Sequence, residues 1–103
     1  MVKTISQLIR KKRKALSLTI EQLAEKSNVS ISLISRIERG DVANISINKL
    51  YDIASALDLE LSDFFSRQQF SDIPTLELLQ YFSTLTDEKR EELSKSILRI
   101  IQL

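Results

Sequence analysis

The sequence predicts an all-α protein in which a five-helix domain is followed by a C-terminal αα-hairpin. Apolar residues recur at spacings of three and four along most of the chain, which places them on one face of successive helices. Serine and threonine residues stand where these segments begin, as expected of helix N-caps. One glycine and one proline in 103 residues are too few for the many turns of a β-rich fold.

The first helix is predicted from Thr4 to Ser17, with one apolar stripe facing the core. Five consecutive cations, Arg10 to Lys14, fall within it and must spread around the helix. Some of them are therefore expected to face solvent. The inward stripe consists of Ile5, Leu8, Ile9 and Leu16.

Residues 18–40 predict two short helices joined by an abrupt turn. Thr19 and Gln22 have the spacing of a capping box, and Ser30 is a good N-cap for the second helix. Asn28 stands where the chain reverses, and asparagine tolerates the left-handed backbone conformation. The inward side chains are predicted to be Leu23, Val29, Ile34 and Ile37.

A fourth and a fifth helix complete the predicted domain over residues 1–65. Gly40 suits the left-handed position after a helix, and residues 41–44 form a loop. Ser46 is the predicted N-cap of the fourth helix, and a short helix from Ser62 closes the core. The inward residues of the two helices are predicted to be Ile47, Leu50, Tyr51, Ile53, Ala54, Leu57, Phe64 and Phe65.

Residues 66–74 are the predicted linker, and residues 75–103 form the predicted hairpin, with Thr86 as the N-cap of its second helix. A hairpin of this size cannot bury its own apolar faces well. It either docks on the first domain or pairs with the hairpin of a second chain, and pairing is favoured because two-fold dimers are the commonest oligomers. The dimerisation residues are predicted to be Leu76, Leu79, Phe82, Leu93, Ile97, Ile100 and Ile101.

The composition argues against an enzyme. There is no cysteine and no histidine, so thiol nucleophiles, imidazole bases and the usual zinc ligands are absent from the sequence. The acidic pairs 87–88 and 91–92 are expected to be surface charges. We therefore predict no cofactor and no metal. No apolar run approaches the ~20 residues of a membrane span, and the expected compartment is the cytoplasm.

The net charge of +1 conceals an asymmetry between the two parts of the chain. Residues 1–40 carry nine basic and three acidic side chains, whereas residues 41–103 carry six basic and eleven acidic ones. A basic front part and an acidic rear part suggest one surface for phosphate and another for a different partner. Charge imbalance alone is also compatible with a role in solubility.

Two runs within the predicted pair of short helices resemble the lambda-repressor/Cro-like (XRE) helix-turn-helix family. They are Leu-Ala-Glu-Lys at residues 23–26 and Ile-Ser-Arg-Ile-Glu-Arg-Gly at residues 34–40. The resemblance covers residues 5–65, and the loop before the fourth helix is similar in length to that of SinR-like regulators. It implies binding to double-stranded DNA, with the second short helix in the major groove.

The resemblance also implies roles for particular residues. Arg36 is expected to make a bidentate contact to guanine, Ile31 to meet a thymine methyl, and Ser32 and Ser35 to donate or accept hydrogen bonds. Arg13 is expected to form a structural ion pair with Glu38. Phosphate contacts are expected from Thr19, Ser30, Arg39, Asn44, Asn48 and Lys49, although Thr19 and Ser30 are needed as caps whatever the protein binds.

Two functions remain open at this point. The favoured one is a cytoplasmic regulator of transcription, acting as a repressor, that binds a two-fold symmetric operator as a homodimer. Its hairpin would set the dimer and could also bind an antagonist protein or peptide. The alternative is an antitoxin-like or other protein-binding module on a helix-turn-helix fold, with the acidic, leucine-rich C-terminal part as its working surface.

Overall fold

The computed structural model describes residues 2–42, 44–65 and 70–102, and all of the regular structure in these ranges is helical. The prediction of an all-α fold is confirmed. The chain divides into two compact units, residues 1–68 and residues 69–103. No helix in the described ranges is both long enough and apolar enough to cross a membrane.

The N-terminal unit contains four α-helices and a 3₁₀ helix. They are α1 (Val2–Ala15), α2 (Ile20–Ser27), α3 (Ile31–Glu38), α4 (Ile47–Ala56) and the 3₁₀ helix Leu61–Phe64. The predicted domain of five helices is thus present, with its last helix in the 3₁₀ conformation. The predicted start of that helix at Ser62 lies one residue inside it.

All four α-helices of this unit end in the same turn. In each turn, one residue after the helix has a left-handed backbone. The N–H of the residue that follows it donates a hydrogen bond to the carbonyl of the residue five positions earlier in the chain. The left-handed position at Asn28 was predicted, and Gly40 also adopts it. Ser17 adopts it as well, which is why α1 ends at Ala15 and not at the predicted Ser17. The four left-handed residues are Ser17 (φ 58°), Asn28 (φ 57°), Gly40 (φ 76°) and Asp58 (φ 56°).

The core of the N-terminal unit lies where α1, α2, α3, α4 and the 3₁₀ helix meet. Two residues predicted to face inward do not. Ile47 and Tyr51 are 53% and 59% exposed, because they lie at the edge of the apolar stripe, with Tyr51 turned about 100° from Leu50 around the helix. The buried apolar residues are Ile5, Ile9, Leu23, Ala24, Ile34, Ile37, Leu50, Ile53, Ala54, Ala56, Leu57 and Phe64.

The C-terminal unit is a pair of helices, α5 (Ile73–Thr84) and α6 (Asp87–Ile101). Asp72 caps α5, and Pro74, the predicted end of the linker, lies in its first turn, where proline is tolerated. Thr86 caps α6 as predicted, accepting a hydrogen bond from the Lys89 N–H. None of the described residues of this unit is buried. The rest of the predicted linker, residues 66–69, lies outside the described residues.

Candidate nucleic-acid interface

Helix α3 has one side in the core and one side open to solvent. Ile34 and Ile37 are fully buried, whereas Ile31, Ser32 and Arg36 are exposed. The spacing accounts for this division, since residues three apart lie on one face of a helix. Three of the four predicted base-reading residues therefore share an outer face, and the fourth, Ser35, is half-buried.

Both short helices begin at the caps that the sequence predicted. The Thr19 hydroxyl accepts the Gln22 N–H at 3.0 Å, and the Gln22 side chain accepts the Thr19 N–H at 2.8 Å. The Ser30 hydroxyl accepts the Leu33 N–H at 3.0 Å. Each of these exposed hydroxyls keeps its own proton to donate. The caps therefore also leave one hydroxyl donor near the start of each helix, where free backbone N–H groups already favour anions.

An ion pair joins α1 to the end of α3. Arg13 Nε donates to Glu38 Oε2 at 2.7 Å and Arg13 Nη2 donates to Glu38 Oε1 at 2.9 Å, a bidentate arrangement. The side chains are only 11% and 6% exposed. The hydrogen bonds that Arg13 donates to Glu38 raise the pKa of Arg13, against the opposing effect of burial. Arg13 thus stays charged, and its guanidinium is occupied inside the protein.

Arg13 makes a further contact that the sequence did not predict. Its Nη1 donates to the Leu18 carbonyl at 2.8 Å, so the same guanidinium also holds the turn between α1 and α2. The buried Ser6 hydroxyl, in turn, donates to the Ile37 carbonyl near the end of α3. Two residues of α1 therefore fix the position of α3. Neither contact has a signature in the sequence, because each joins residues by tertiary packing.

The end of α3 carries a chain of polar contacts. Arg39 Nη1 donates to Ser35 Oγ at 3.1 Å, and Arg39 Nε donates to Asp41 Oδ2 at 3.1 Å. Arg39 was predicted to contact phosphate and Ser35 to contact a base. The structure brings these two residues together, which the sequence analysis missed, although their i, i+4 spacing on a helix is a usable signal.

The remaining predicted phosphate contacts lie around the start of α4. Asn44, Asn48 and Lys49 are all exposed. The Ser46 hydroxyl caps the helix by accepting the Lys49 N–H at 3.2 Å. This end of α4 therefore offers backbone N–H groups, two amide side chains and one cation, a combination that suits an anionic ligand.

The capped pair α2 and α3, braced by α1 and open on the outer side of α3, is the arrangement of a helix-turn-helix protein. The helix-turn-helix family model HTH_3 matches residues 9–64, more than half of the chain. The chain belongs to this family of transcriptional regulators, and the resemblance to XRE-type proteins is confirmed.

The proteins to which the chain is similar include a curated regulator and two solved structures. The chain is 39% identical over 64 residues to the HTH-type transcriptional regulator SlrR of Bacillus subtilis, a match covering 62% of this chain and 42% of SlrR. The chain thus spans less than half the length of that relative.

Both structures contain SinR. The first, the master regulator for biofilm formation SinR in complex with DNA, is 34% identical with a TM-score of 0.58, covering 60% of this chain and 98% of that one. The second, a SinR–SinI complex, is 28% identical with a TM-score of 0.59, covering 92% and 96%.

Proposed function

We propose that this protein is a sequence-specific DNA-binding repressor of transcription that occupies a two-fold symmetric operator as a homodimer. The observation that carries the proposal is the division of α3, with Ile34 and Ile37 buried and the polar side that includes Ser32 and Arg36 open. The similarity to SinR in complex with DNA supports it. Such a protein acts in the compartment that holds the DNA, which we take to be the cytoplasm.

The base-reading residues are the outward side chains of α3. Arg36 is exposed and makes no ion pair within the described residues, so its guanidinium is available for a bidentate contact to guanine O6 and N7. Ile31, exposed at the first position of α3, suits the methyl group of thymine. Ser32 and Ser35 lie on the same helix and read neighbouring bases.

The phosphate-binding residues surround this face. The hydroxyls of Thr19 and Ser30 lie at the starts of α2 and α3, where the helix dipole favours an anion. Asn44, Asn48 and Lys49 extend the anion-binding surface to the start of α4. These contacts position the protein on the duplex and carry no sequence information of their own.

The hairpin supplies the homodimer interface. Leu76, Leu79, Ile100 and Ile101 are exposed large apolar residues, and Phe82, Leu93 and Ile97 are only half-buried. Pairing with the same surface of a second chain would remove this apolar area from water. A dimer built in this way presents two copies of α3 to two half-sites of an operator.

The hairpin is also the candidate site for an antagonist protein or peptide. The SinR–SinI complex, which aligns with 92% of this chain, is the structural neighbour that supports a protein partner. An apolar helix from such a partner would compete with the second hairpin for the same residues. Repression would then be relieved by loss of the dimer.

Selection of bound sequences from random DNA tests the proposed function. A two-fold symmetric motif is expected, and a protein that enriches no motif would refute sequence-specific binding. An asymmetric motif, or a single half-site, would refute binding as a symmetric dimer.

Two variants on the selected motif separate base reading from phosphate binding. Arg36→Ala should lower specific affinity by about 1–3 kcal/mol and relax discrimination at one base pair of each half-site. Lys49→Ala is the matched control, because loss of a phosphate contact weakens all DNA alike and flattens the salt dependence by about 0.9 per contact. Equal losses on specific and random DNA for Arg36→Ala would contradict its role.

A further inference from the structure

Ser35 differs from other serines in the helices of this protein. Ser27, Ser83 and Ser96 each donate their hydroxyl proton to a backbone carbonyl three or four residues back. Ser35 Oγ instead accepts a hydrogen bond, from Arg39 Nη1 at 3.1 Å. Its own proton meets no acceptor within residues 2–42, 44–65 and 70–102. The Ser35 hydroxyl therefore has one of its two lone pairs occupied and a free proton.

The turn after α3 holds the Arg39 guanidinium in this position. Arg39 Nε donates to Asp41 Oδ2 at 3.1 Å, so the guanidinium is engaged at both ends. The backbone of Asp41 is fixed, because its N–H donates to the Arg36 carbonyl at 2.9 Å across the left-handed Gly40. The three side chains form a chain that runs from Asp41 through Arg39 to Ser35.

We infer that this chain makes Ser35 a hydrogen-bond donor toward DNA and thereby sets the base that it selects. A serine hydroxyl can ordinarily donate or accept, so serine reads any base. Here one of the two lone pairs is taken by a cationic donor, and the positive charge beside the other lone pair repels an amino group that would approach as a further donor. Arg39 and Asp41 are positioning residues for this contact. The inference rests on the proposed function of α3.

The hydrogen-bonding groups that each base presents in the major groove determine to which bases the Ser35 hydroxyl can donate. Guanine presents N7 and O6, adenine presents N7, and thymine presents O4, all of which are acceptors. Cytosine presents only the N4 amino donor. The base that faces Ser35 in each half-site should therefore be guanine, adenine or thymine, and cytosine should be excluded from that position on the contacted strand.

The inference also changes the role expected of Arg39. The family resemblance implied a phosphate contact for this arginine, whereas its two internal contacts direct the guanidinium to Ser35. Both partners of the Arg39–Asp41 ion pair are 60% exposed, and exposed pairs of this kind are weak. The physical alternative is that Arg39 releases Asp41 and binds a phosphate of the DNA. An experiment must distinguish this alternative from the positioning role.

The test compares variants of the full chain on the motif selected from random DNA, with each base substituted in turn at every position. Ser35→Ala should reduce discrimination against cytosine at one base pair by about threefold to tenfold, the value of one hydrogen bond. Arg39→Met keeps the length of the side chain and removes its donors. Arg39→Met should reduce discrimination at the same base pair. The double variant Ser35→Ala with Arg39→Met should lose no more discrimination there than either single variant.

Two further variants serve as matched controls. Ser32→Ala removes a neighbouring hydroxyl that has no contact with Arg39 in the described structure, so its effect should add to that of Arg39→Met. Asp41→Asn removes a negative charge and loosens Arg39, so it should weaken discrimination at the Ser35 position while raising affinity for random DNA. General damage to the fold would instead lower both the discrimination at the Ser35 position and the affinity for random DNA. Thermal unfolding of each variant should match that of the wild type.

Several outcomes overturn the inference. If Arg39→Met leaves the base preferences unchanged and flattens the salt dependence by about 0.9, Arg39 binds phosphate. If the wild type prefers cytosine at a position whose preference Ser35→Ala abolishes, Ser35 is an acceptor. Additive effects of Ser35→Ala and Arg39→Met would also contradict the inference. In each case the wild-type motif remains, so the proposed function stands, whereas a wild type that selects no motif refutes both.

Discussion

The N-terminal unit and the C-terminal hairpin have similar helices but bury very different amounts of apolar surface. Twelve apolar side chains are buried in the described part of the N-terminal unit, whereas the described apolar residues of α5 and α6 are exposed or half-buried. Capping is equally good in both units, since Asp72 and Thr86 accept backbone N–H groups as Thr19 and Ser30 do. Local hydrogen bonding alone therefore does not give a helix pair a core, and the proposed dimer is what would cover the apolar residues of the hairpin.

A second comparison concerns the arginine that closes a turn in each unit. Arg13 holds the turn after α1 through the Leu18 carbonyl and is nearly buried beside Glu38. Arg90 holds the turn between α5 and α6, donating to the Phe82 and Leu85 carbonyls at 2.9 and 2.8 Å. Its ionic partner Asp87 is fully exposed. In both units, an arginine that donates to backbone carbonyls stabilises the turn. Arg13 does so in a low-dielectric environment, and Arg90 does so in contact with solvent.

The largest effect that separates the two units is expected from truncating isoleucines. Ile34→Ala should lower the free energy of unfolding of the N-terminal unit by about 2–5 kcal/mol, because it leaves a cavity in a closed core. Ile100→Ala is the matched control, since Ile100 is 70% exposed. It should change the unfolding of the monomer by about 0.5 kcal/mol or less. Urea unfolding, monitored by NMR through the amide signals of each unit, measures the change in unfolding free energy caused by each substitution.

The same pair of variants also tests the proposed dimer. Ile100→Ala should raise the dimer dissociation constant by about tenfold or more, because a two-fold interface contains the substituted residue twice. Ile34→Ala should leave association of the folded chains unchanged. Sedimentation equilibrium distinguishes these outcomes. A loss of stability from Ile100→Ala equal to that from Ile34→Ala, at protein concentrations where the chain is monomeric, would show that the hairpin surface is covered within one chain.

An intermediate effect is expected from the two turn-closing arginines. Arg13→Ala leaves the Glu38 carboxylate buried without its partner and should cost about 3–5 kcal/mol. Arg90→Ala should cost about 1 kcal/mol, confined to the hairpin, because water can replace its contacts. The double variant Arg13→Met with Glu38→Leu removes both charges and should recover most of the loss. Failure to recover would mean that the hydrogen bond to Leu18, and not the ion pair, dominates.

The sequence was most informative where structure depends on neighbours along the chain. The caps Thr19, Ser30, Ser46 and Thr86 each bond to an N–H three residues on, and their spacing is readable directly. The left-handed Ser17 and Asp58 were missed because neither residue type requires that conformation. Tertiary packing, not sequence, decides that such a residue accepts the strain.

The sequence predicted burial less well where burial depends on which element packs against a helix face. Ile47 and Tyr51 continue the apolar pattern of α4, yet no neighbouring element covers them in the N-terminal unit. For the candidate site, Arg36 and Lys49 were expected from the resemblance to the helix-turn-helix family, and both are exposed. The coupling of Ser35 to Arg39 and Asp41 did not, because rotamers of exposed polar side chains have several alternatives of similar energy.

The smallest effect is expected from the cap of α5. Asp72 accepts hydrogen bonds from the Thr75 hydroxyl and N–H, and these bonds lower the pKa of its carboxyl below the ordinary value, chiefly through the side-chain bond. Because the folded pKa is the lower one, the cap's contribution is complete above the ordinary pKa of about 3.9. It is lost as the pH falls through the lowered pKa of the folded state.

Asp72→Asn keeps an acceptor oxygen at the cap and removes the titration. NMR of the Thr75 amide between pH 6 and pH 2 should therefore show a shift in the wild type and none in Asp72→Asn. A Thr75 amide that titrates equally in both proteins would show that the shift comes from another carboxyl and not from the Asp72 cap.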